Sequence, residues 1–168
     1  MVAFRAMQLA DLPQLIRWQT SPAAARWFPA LSLEEAHRRF GPRIRGVIPV
    51  RMLVVEIEGR DAGYAQLYRI EDVGDTVPAP PGYVAMDFCI GEPDLLGQGY
   101  GTALLRELVS MARWVWPQAQ GVLACPDHRN AASIRALRSA GFVEGLWFDS
   151  PESAGSRTTL VAYLRHFA

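Results

Sequence analysis

Residues 95–102 of this chain read Leu95-Leu96-Gly97-Gln98-Gly99-Tyr100-Gly101-Thr102, with a glycine at every second position from 97 to 101. The run lies between a predicted strand, residues 83–90, and a predicted helix, residues 102–116. Alternating glycines let the backbone turn tightly and approach a ligand, and the helix start adds free amides and a positive dipole end. The sequence therefore predicts a loop that binds a pyrophosphate group. The Lys-Ser/Thr pair of a P-loop and the acidic strand end of a dinucleotide-binding fold are both missing.

The helix after this loop is the clearest one in the sequence. Its apolar residues recur along one helical face, at Leu104, Leu105, Leu108, Met111, Ala112 and Val115. A second motif begins at Asn130, a natural N-cap for a helix that runs through Ser139 and stops at Gly141. The two helices frame a short apolar strand over residues 121–125.

The rest of the chain adds strands and two early helices. Predicted strands cover residues 2–7, 52–57, 62–70, 142–148 and 158–167. Predicted helices cover residues 9–19 and a segment from the capping box at Ser32 to Gly41-Pro42, which should end it. Residues 71–82 and 150–156 are predicted loops. This order predicts an α/β (α+β) fold, a mixed central sheet of six or seven strands flanked by about four helices, in one domain over residues 1–168.

Composition limits the partners of this chain of 168 residues. Its 17 basic residues are all arginine and balance 17 acids, so nothing favours a nucleic-acid partner through a globally basic surface. No apolar run is long enough for a membrane span, and no signal region opens the chain. The two cysteines, Cys89 and Cys125, lack disulfide-framework or metal-ligand spacing. We expect a cytoplasmic protein with no membrane partner and no metal.

The two motifs together resemble the GNAT family of acyl-CoA-dependent N-acyltransferases. The resemblance rests on Gly97-Gln98-Gly99-Tyr100-Gly101 and on the segment from Asn130-Ala131-Ala132-Ser133 to Ala140-Gly141-Phe142. Three further stretches resemble aminoglycoside 6′-N-acetyltransferases: Gly63-Tyr64-Ala65-Gln66, Met86-Asp87 and Ile90-Gly91-Glu92-Pro93-Asp94.

The resemblance implies a site for acetyl-CoA. The loop residues Gly97, Gln98, Gly99, Tyr100, Gly101 and Thr102 would hold its pyrophosphate. Backbone groups of Phe88, Cys89 and Ile90 would bind the pantetheine arm, and one amide would polarise the thioester carbonyl. Asn130 and Ser133 would contact the far side of the cofactor.

The chain also departs from the family pattern. Leu96 stands where the family often has Arg or Gln, and Leu137 stands where many members carry a tyrosine that protonates the leaving thiolate. On the acceptor side, Cys125 and Thr159 replace an aspartate and a tyrosine of aminoglycoside enzymes. These departures leave acyl-CoA binding intact as an expectation and put antibiotic acetylation in question.

Two residues are candidates for the chemistry. An alkylamine is mostly protonated at pH 7, so attack on a thioester needs a group that removes a proton. Asp87, the polar residue in an apolar strand, is the candidate base or electrostatic anchor for the amine. Tyr163 is a weaker candidate for the acid.

Charge is divided along the chain in a way that suggests an acceptor. Residues 56–96 carry nine acids and two arginines, whereas residues 97–141 carry five arginines and two acids. An anionic cofactor would favour the second segment, with its Arg106, Arg129, Arg135 and Arg138, and a cationic acceptor the first. The candidate acceptor residues are Glu71, Asp72, Asp75, Trp27, Tyr64 and Tyr68.

The predicted function is acetyl transfer from acetyl-CoA to a primary amine of a small cationic, aminoglycoside-like molecule. One alternative is acylation of a protein or peptide α-amine or of a siderophore-type lysine. Another is a non-catalytic acyl-CoA-binding module, suggested by Leu137. An exposed edge strand near the C-terminus would favour a homodimer.

Overall fold

A computed structural model describes residues 1–74, 77–150 and 158–168. Seven strands form one sheet in the spatial order β1-β2-β3-β4-β5-β7-β6. The strands are β1 (Val2–Ala6), β2 (Arg51–Ile57), β3 (Arg60–Arg69), β4 (Tyr83–Ile90), β5 (Gly121–Ala124), β6 (Val143–Asp149) and β7 (Thr159–His166). All neighbours are antiparallel except β4 and β5, which are parallel. The mixed sheet confirms the predicted fold class.

Five α-helices accompany the sheet within the described residues. They are α1 (Leu12–Gln19), α2 (Leu33–Ile44), α3 (Ile70–Val73), α4 (Tyr100–Val115) and α5 (Ala131–Ser139). Two short 3-10 helices precede α1 and α4, at Leu9–Asp11 and Pro93–Leu95. No helix in the described ranges is both long and apolar enough to cross a membrane.

Two predicted boundaries were wrong. Helix α2 does not end at Gly41-Pro42 but continues to Ile44, because Pro42 lies in its last turn and costs only one backbone bond there. The stop comes at Gly46, whose φ of 74° is the left-handed conformation that ends helices. The first residues of the predicted loop over residues 71–82 belong to α3, a single helical turn that follows β3.

The sheet has a hydrophobic core on each face. Leu104, Leu105 and Leu108 of α4 pack with Leu137 of α5 on one face. Helices α1 and α2 cover the other face through residues such as Leu12 and Phe40. Strand residues alternate between the two faces, since successive side chains point to opposite sides.

Strands β4 and β5 pair over only part of their length. Pairing runs from Tyr83 opposite Gly121 to Ala85 opposite Leu123, although β4 continues to Ile90. Pro126, two residues after β5 ends, has no N–H to extend a ladder, and its carbonyl accepts from Val161 of β7 instead. The chain after β5 thus turns toward β7 and leaves the second half of β4 without a partner strand on that side in the described sheet.

Candidate active site

The glycine loop turns sharply between the 3-10 helix and α4. Gly97 and Gly99 have φ values of 74° and 85°, a region that other residues rarely enter, and an added Cβ would meet no atom within 4 Å at either position. These glycines are therefore needed for backbone conformation, and the space above them is open.

Helix α4 begins directly after Gly99, and no side chain caps it. The amides of its first turn therefore point outward with the positive end of the helix dipole behind them. A pyrophosphate is the kind of anion that such a terminus binds.

A cleft of about 390 Å³ extends from this loop to the unpaired half of β4. Its walls come from the glycine loop, the end of β4, helix α5 and the segment between α1 and α2. The lining residues are Ala23, Ala24, Trp27, Phe28, Phe88, Cys89, Ile90, Leu95, Leu96, Gly97, Gly99, Gly101, Thr102, Asn130, Ala132, Ser133, Arg135, Ala136 and Ser139.

Most of the predicted cofactor residues meet in this cleft. Three come from β4, four from the loop and two from the start of α5: Phe88, Cys89, Ile90, Gly97, Gly99, Gly101, Thr102, Asn130 and Ser133. Two loop side chains point elsewhere. The Gln98 amide donates to the carbonyl of Asp94, and the Tyr100 hydroxyl donates to Glu58 at 3.4 Å. Neither residue is among those that line the cleft.

Asn130 is in place for both of its predicted roles. Its side chain accepts a hydrogen bond from the Ser133 amide at 3.1 Å, which caps α5. The same residue lines the cleft.

One face of α5 lines the cleft, and sequence reasoning identified only part of it. Ala132, Ala136 and Ser139 recur at intervals of four and three residues, the spacing of one helix face, and Arg135 lies three residues after Ala132 on the same side. Arg135 projects into the cleft rim, whereas Arg129 and Arg138 form ion pairs with Asp127 and Glu144. The spacing of small residues around Arg135 was the signal that could have identified this wall.

Asp87 lies beside the cleft on the α1/α2 face of the sheet. Alternation along β4 places it on the same side as Ala85 and Cys89, both of which belong to that core. The side chain is half-buried, and its Oδ2 accepts a hydrogen bond from Gln66 Nε2 at 2.5 Å. A carboxylate thus lies one residue before Phe88 and two before Cys89, which both line the cleft.

The predicted aromatic acceptor residues are divided. Trp27 lines the cleft, half-buried. Tyr64 is buried, its hydroxyl accepts from Gln19 Nε2 at 3.0 Å, and burial raises its pKa. Tyr68 is also buried, and neither tyrosine is among the lining residues.

The predicted acidic acceptor residues lie far from the cleft or outside the described residues. Arg69 forms ion pairs with Glu71 at 3.0 Å and with Asp72 at 3.7 Å. Arg69 is paired with Val84, six residues before Ile90, so the two acids lie about 20 Å along the strands from the cleft end of β4. Asp75, like most of the predicted loop at residues 150–156, falls outside the described residues.

Tyr163 is buried in the α4/α5 core and does not line the cleft. Its hydroxyl donates to Glu144 Oε2 at 2.9 Å, and burial is the main cause that raises its pKa. Glu144 also accepts from Trp147 and Arg138, so this cluster ties β6 and β7 to α5.

Neither cysteine is part of a disulfide. Cys89 is buried, and desolvation raises its pKa to about 12. Cys125 directly follows β5 and is half-buried. No group of three or more His, Cys, Asp or Glu residues in the described ranges has the arrangement of a metal site.

The fold and the cleft define a class of protein. A glycine loop at a helix start suits the pyrophosphate of coenzyme A. The unpaired edge of β4 suits the amide-bearing pantetheine arm, and the carboxylate of Asp87 lies beside the end of the cleft opposite to the glycine loop. This is the arrangement of an acyltransferase that uses an acyl-CoA thioester.

Comparisons with known proteins identify the family. A family model described as "Acetyltransferase (GNAT) domain" matches residues 8–150. The chain belongs to this GNAT family and is an acetyltransferase whose co-substrate is acetyl-CoA. The resemblance noted in the sequence is confirmed.

Individual relatives are more distant. An aminoglycoside N(6′)-acetyltransferase type 1 from Klebsiella pneumoniae is 26% identical over 148 residues, which cover 84% of this chain and 73% of that protein. A lysine N-acyltransferase MbtK from Mycolicibacterium paratuberculosis is 27% identical over 142 residues, which cover 83% of this chain and 64% of that protein. The crystal structure of aminoglycoside acetyltransferase AAC(6′)-Ib with coenzyme A aligns with a TM-score of 0.85 at 25% identity, covering 99% of this chain and 95% of that one.

Proposed function

We propose that the chain transfers an acetyl group from acetyl-CoA directly to a primary amine of a small polycationic, aminoglycoside-like acceptor. The observation that carries this proposal is the position of Asp87. It lies on β4 directly before Phe88, Cys89 and Ile90, which line the cleft, and on the face opposite to Phe88. A carboxylate at this place can attract an ammonium group and remove its proton.

The chemistry needs little else from the protein. Asp87 takes one proton from the ammonium group and passes it to solvent. The neutral nitrogen bonds to the thioester carbonyl carbon, the C–S bond breaks, and the nitrogen loses its second proton to water. The departing thiolate takes a proton from water, because a thiol with a pKa of about 8.5 is a tolerable leaving group. This accounts for activity without the family tyrosine, since Leu137 in its place is buried in the core. We assign no acid role to Tyr163, which is bonded to Glu144.

The names of similar proteins support this class of acceptor. Two of the curated relatives are aminoglycoside N(6′)-acetyltransferases. Solved neighbours include AAC(6′)-Ib with coenzyme A and kanamycin. At the acceptor end, Trp27 would provide a flat surface for a sugar ring of the acceptor, whereas Tyr64 and Tyr68 belong to the core.

A second candidate is acylation of a lysine-type amine. It is favoured by the MbtK relatives and by Cys125, which replaces an aspartate of aminoglycoside enzymes. Both candidates use the same cleft and the same Asp87, and they differ only in the acceptor.

Steady-state assays of thiol release would test the proposal. The wild-type chain is offered acetyl-CoA with aminoglycosides, with polyamines and with lysine-containing peptides. Asp87→Asn keeps the size of the side chain and removes its charge. Glu107→Gln, on the exposed face of α4, is the matched control.

We expect turnover with at least one aminoglycoside. Asp87→Asn should lower kcat/KM about a hundredfold or more without changing the affinity for coenzyme A, while Glu107→Gln stays within twofold. Turnover only with lysine-type amines would replace the first acceptor by the second. Acetyl-CoA binding without turnover on any amine would leave the non-catalytic module.

Three wider expectations remain proposals. We propose a single domain over residues 1–168 and a cytoplasmic location, which two cysteines outside any disulfide support. We also propose a homodimer through β6, one of the two edge strands of the sheet, where Val143, Leu146 and Trp147 are exposed. Light scattering of the wild type and of Trp147→Glu measures the oligomeric state, and a wild-type monomer would refute the dimer.

A further inference from the structure

Gln66 is a buried glutamine in the middle of β3. Only 8% of its surface is exposed, and it is one of few buried polar residues in the described chain. It lies directly opposite Asp87 in the β3–β4 ladder, and alternation places it on the same face as Tyr64 and Tyr68. A buried amide must find partners for both of its ends.

Both ends of the Gln66 amide have charged partners. Oε1 accepts from Arg43 Nη1 of α2 at 2.8 Å, and Nε2 donates to Asp87 Oδ2 at 2.5 Å. A guanidinium has only donors, so the carbonyl end of the amide must face Arg43. The NH₂ end is then forced toward Asp87, whichever way the amide could turn in isolation.

This chain of contacts is ordered by charge. A positive guanidinium, an amide dipole and a carboxylate follow one another head to tail, and each bond polarises the next. The contact with Asp87 is a donated hydrogen bond, which stabilises a carboxylate in its ionised form. It also restricts rotation of the carboxylate, because one of its oxygens is tied to the sheet.

We propose that Gln66, itself oriented by Arg43, is a positioning residue that keeps Asp87 ionised and aimed for the acceptor amine. The inference rests on the proposed role of Asp87. It assigns a task to the Gln66 position of the Gly63-Tyr64-Ala65-Gln66 stretch, which neither binds the cofactor nor lines the cleft.

The first test removes the donor without removing bulk. In Gln66→Leu the acid limb of the pH profile of kcat/KM should move to higher pH, and kcat should fall about tenfold. The KM for acetyl-CoA should stay within twofold, because the loop and α5 are untouched. The matched control is Gln19→Leu, which removes another buried amide on the same face and should leave the acid limb in place.

The second test keeps the fold intact if leucine is not tolerated. Gln66→Glu preserves the partner of Arg43 but puts a second carboxylate against Asp87, so the acid limb should move up by more than in Gln66→Leu. Arg43→Met leaves Gln66 in place and frees its amide to turn, so the shift should be in the same direction and smaller.

A double-mutant cycle separates positioning from packing. In the Asp87→Asn background, Gln66→Leu should have no further effect on kcat, because the group it positions is already neutral. An equal tenfold loss in both backgrounds would show that Gln66 only packs the sheet and would overturn the inference.

A readout without acceptor distinguishes this inference from the proposed function. The Asp87 carboxyl, followed by carbon-13 NMR, should titrate at higher pH in Gln66→Leu than in the wild type. An upward shift with no turnover on any amine would support the positioning inference and refute the proposed function. If turnover depends on Asp87 but Gln66→Leu changes neither the titration of Asp87 nor the acid limb, the proposed function is supported and the positioning inference is refuted.

Discussion

Gly63 of β3 faces the backbone of β4 at the cleft, and we predict that Gly63→Ala is severely damaging. A Cβ at this position would lie 1.9 Å from the Cys89 carbonyl oxygen and 3.0 Å from Ile90 Cα. Real Cβ contacts shorter than 3.0 Å are essentially never seen, so the shortfall is about 1.1 Å. The obstacle is backbone, and no rotamer change can remove it.

The strands must therefore separate, and two costs follow. Overpacking of this kind costs about 1–3 kcal/mol, which for a chain of this length lowers Tm by about 2–12 °C. The displaced segment, Cys89 to Ile90, is also the cleft wall. A misplacement of about 1 Å at a reacting centre can cost about a hundredfold in rate, so kcat/KM should fall by that factor.

Thermal unfolding and steady-state kinetics of Gly63→Ala measure the two effects. The matched control is Gly41→Ala in α2, where the added Cβ meets only the guanidinium of Arg45, at 3.1 Å. That side chain can move aside, and alanine is the better helix former, so Tm should stay level or rise. If Gly63→Ala keeps its Tm within 1 °C and its kcat/KM within twofold, the steric reasoning is refuted.

Three further predictions concern single groups. Asn130→Ala removes the α5 cap, which costs about 1 kcal/mol and should lower Tm by about 2–4 °C in a melting curve. Burial raises the pKa of Cys89 to about 12, so at pH 8 a thiol reagent should modify Cys125 quickly and Cys89 only after denaturation, as mass spectrometry would show. The hydrogen-bonded guanidinium of Arg129 lowers the pKa of Asp127. Their pair therefore stabilises the fold fully above the unfolded pKa of about 3.9 and stops doing so as pH falls through the lower folded value, so the stability gap between wild type and Arg129→Gln should close in acid melts.

The sequence predicted the strands and the motif helices well because their signals are local. Strand β4 matched at both ends, and α5 began at the predicted cap, Asn130. The end of α2 was predicted too early because Gly41-Pro42 is a common helix-ending pair. The effect of a proline on a helix depends on where in the helix it lies. Near the C-terminal end of a helix the missing N–H of proline costs one bond, and packing of Phe40 in the core outweighs it.

The formal charge of residues 56–96 overstates their free acidic charge, because ion pairs form with residues distant in sequence. Summing acids over residues 56–96 treats them as one free patch, but arginines from elsewhere in the chain neutralise several of them. Glu92 pairs with Arg17, which is 75 residues away in sequence, and Asp61 pairs with Arg5 of β1. Long-range ion pairs cannot be read from segment sums, so the acidic segment is far less able to attract a cation than its formal charge indicated.

The sequence predicted the glycine loop that would bind the cofactor. It did not predict how the two faces of β4 are arranged at the other end of the cleft. The motifs identified the residues at the pyrophosphate end, because the backbone conformation there requires glycine at particular positions. The opposite end depends on which side of β4 each residue faces and on where β5 stops, and neither is a motif. Gln66 illustrates this, because its importance appears only when Arg43 and Asp87 are seen on either side of it.

The end of β4–β5 pairing explains how one strand can serve both substrates. In a fully paired sheet, Asp87 and Phe88 would face opposite layers, and no ligand could contact both. Beyond Ala85 the β5 side of β4 is open, so a ligand placed at that edge can reach side chains on either face. The acyl donor can then lie against Phe88 and Ile90 while the amine approaches from the side of Asp87. Because the β4–β5 ladder ends at Ala85 and Leu123, two molecules that bind on opposite faces of the sheet can meet and react at this open edge.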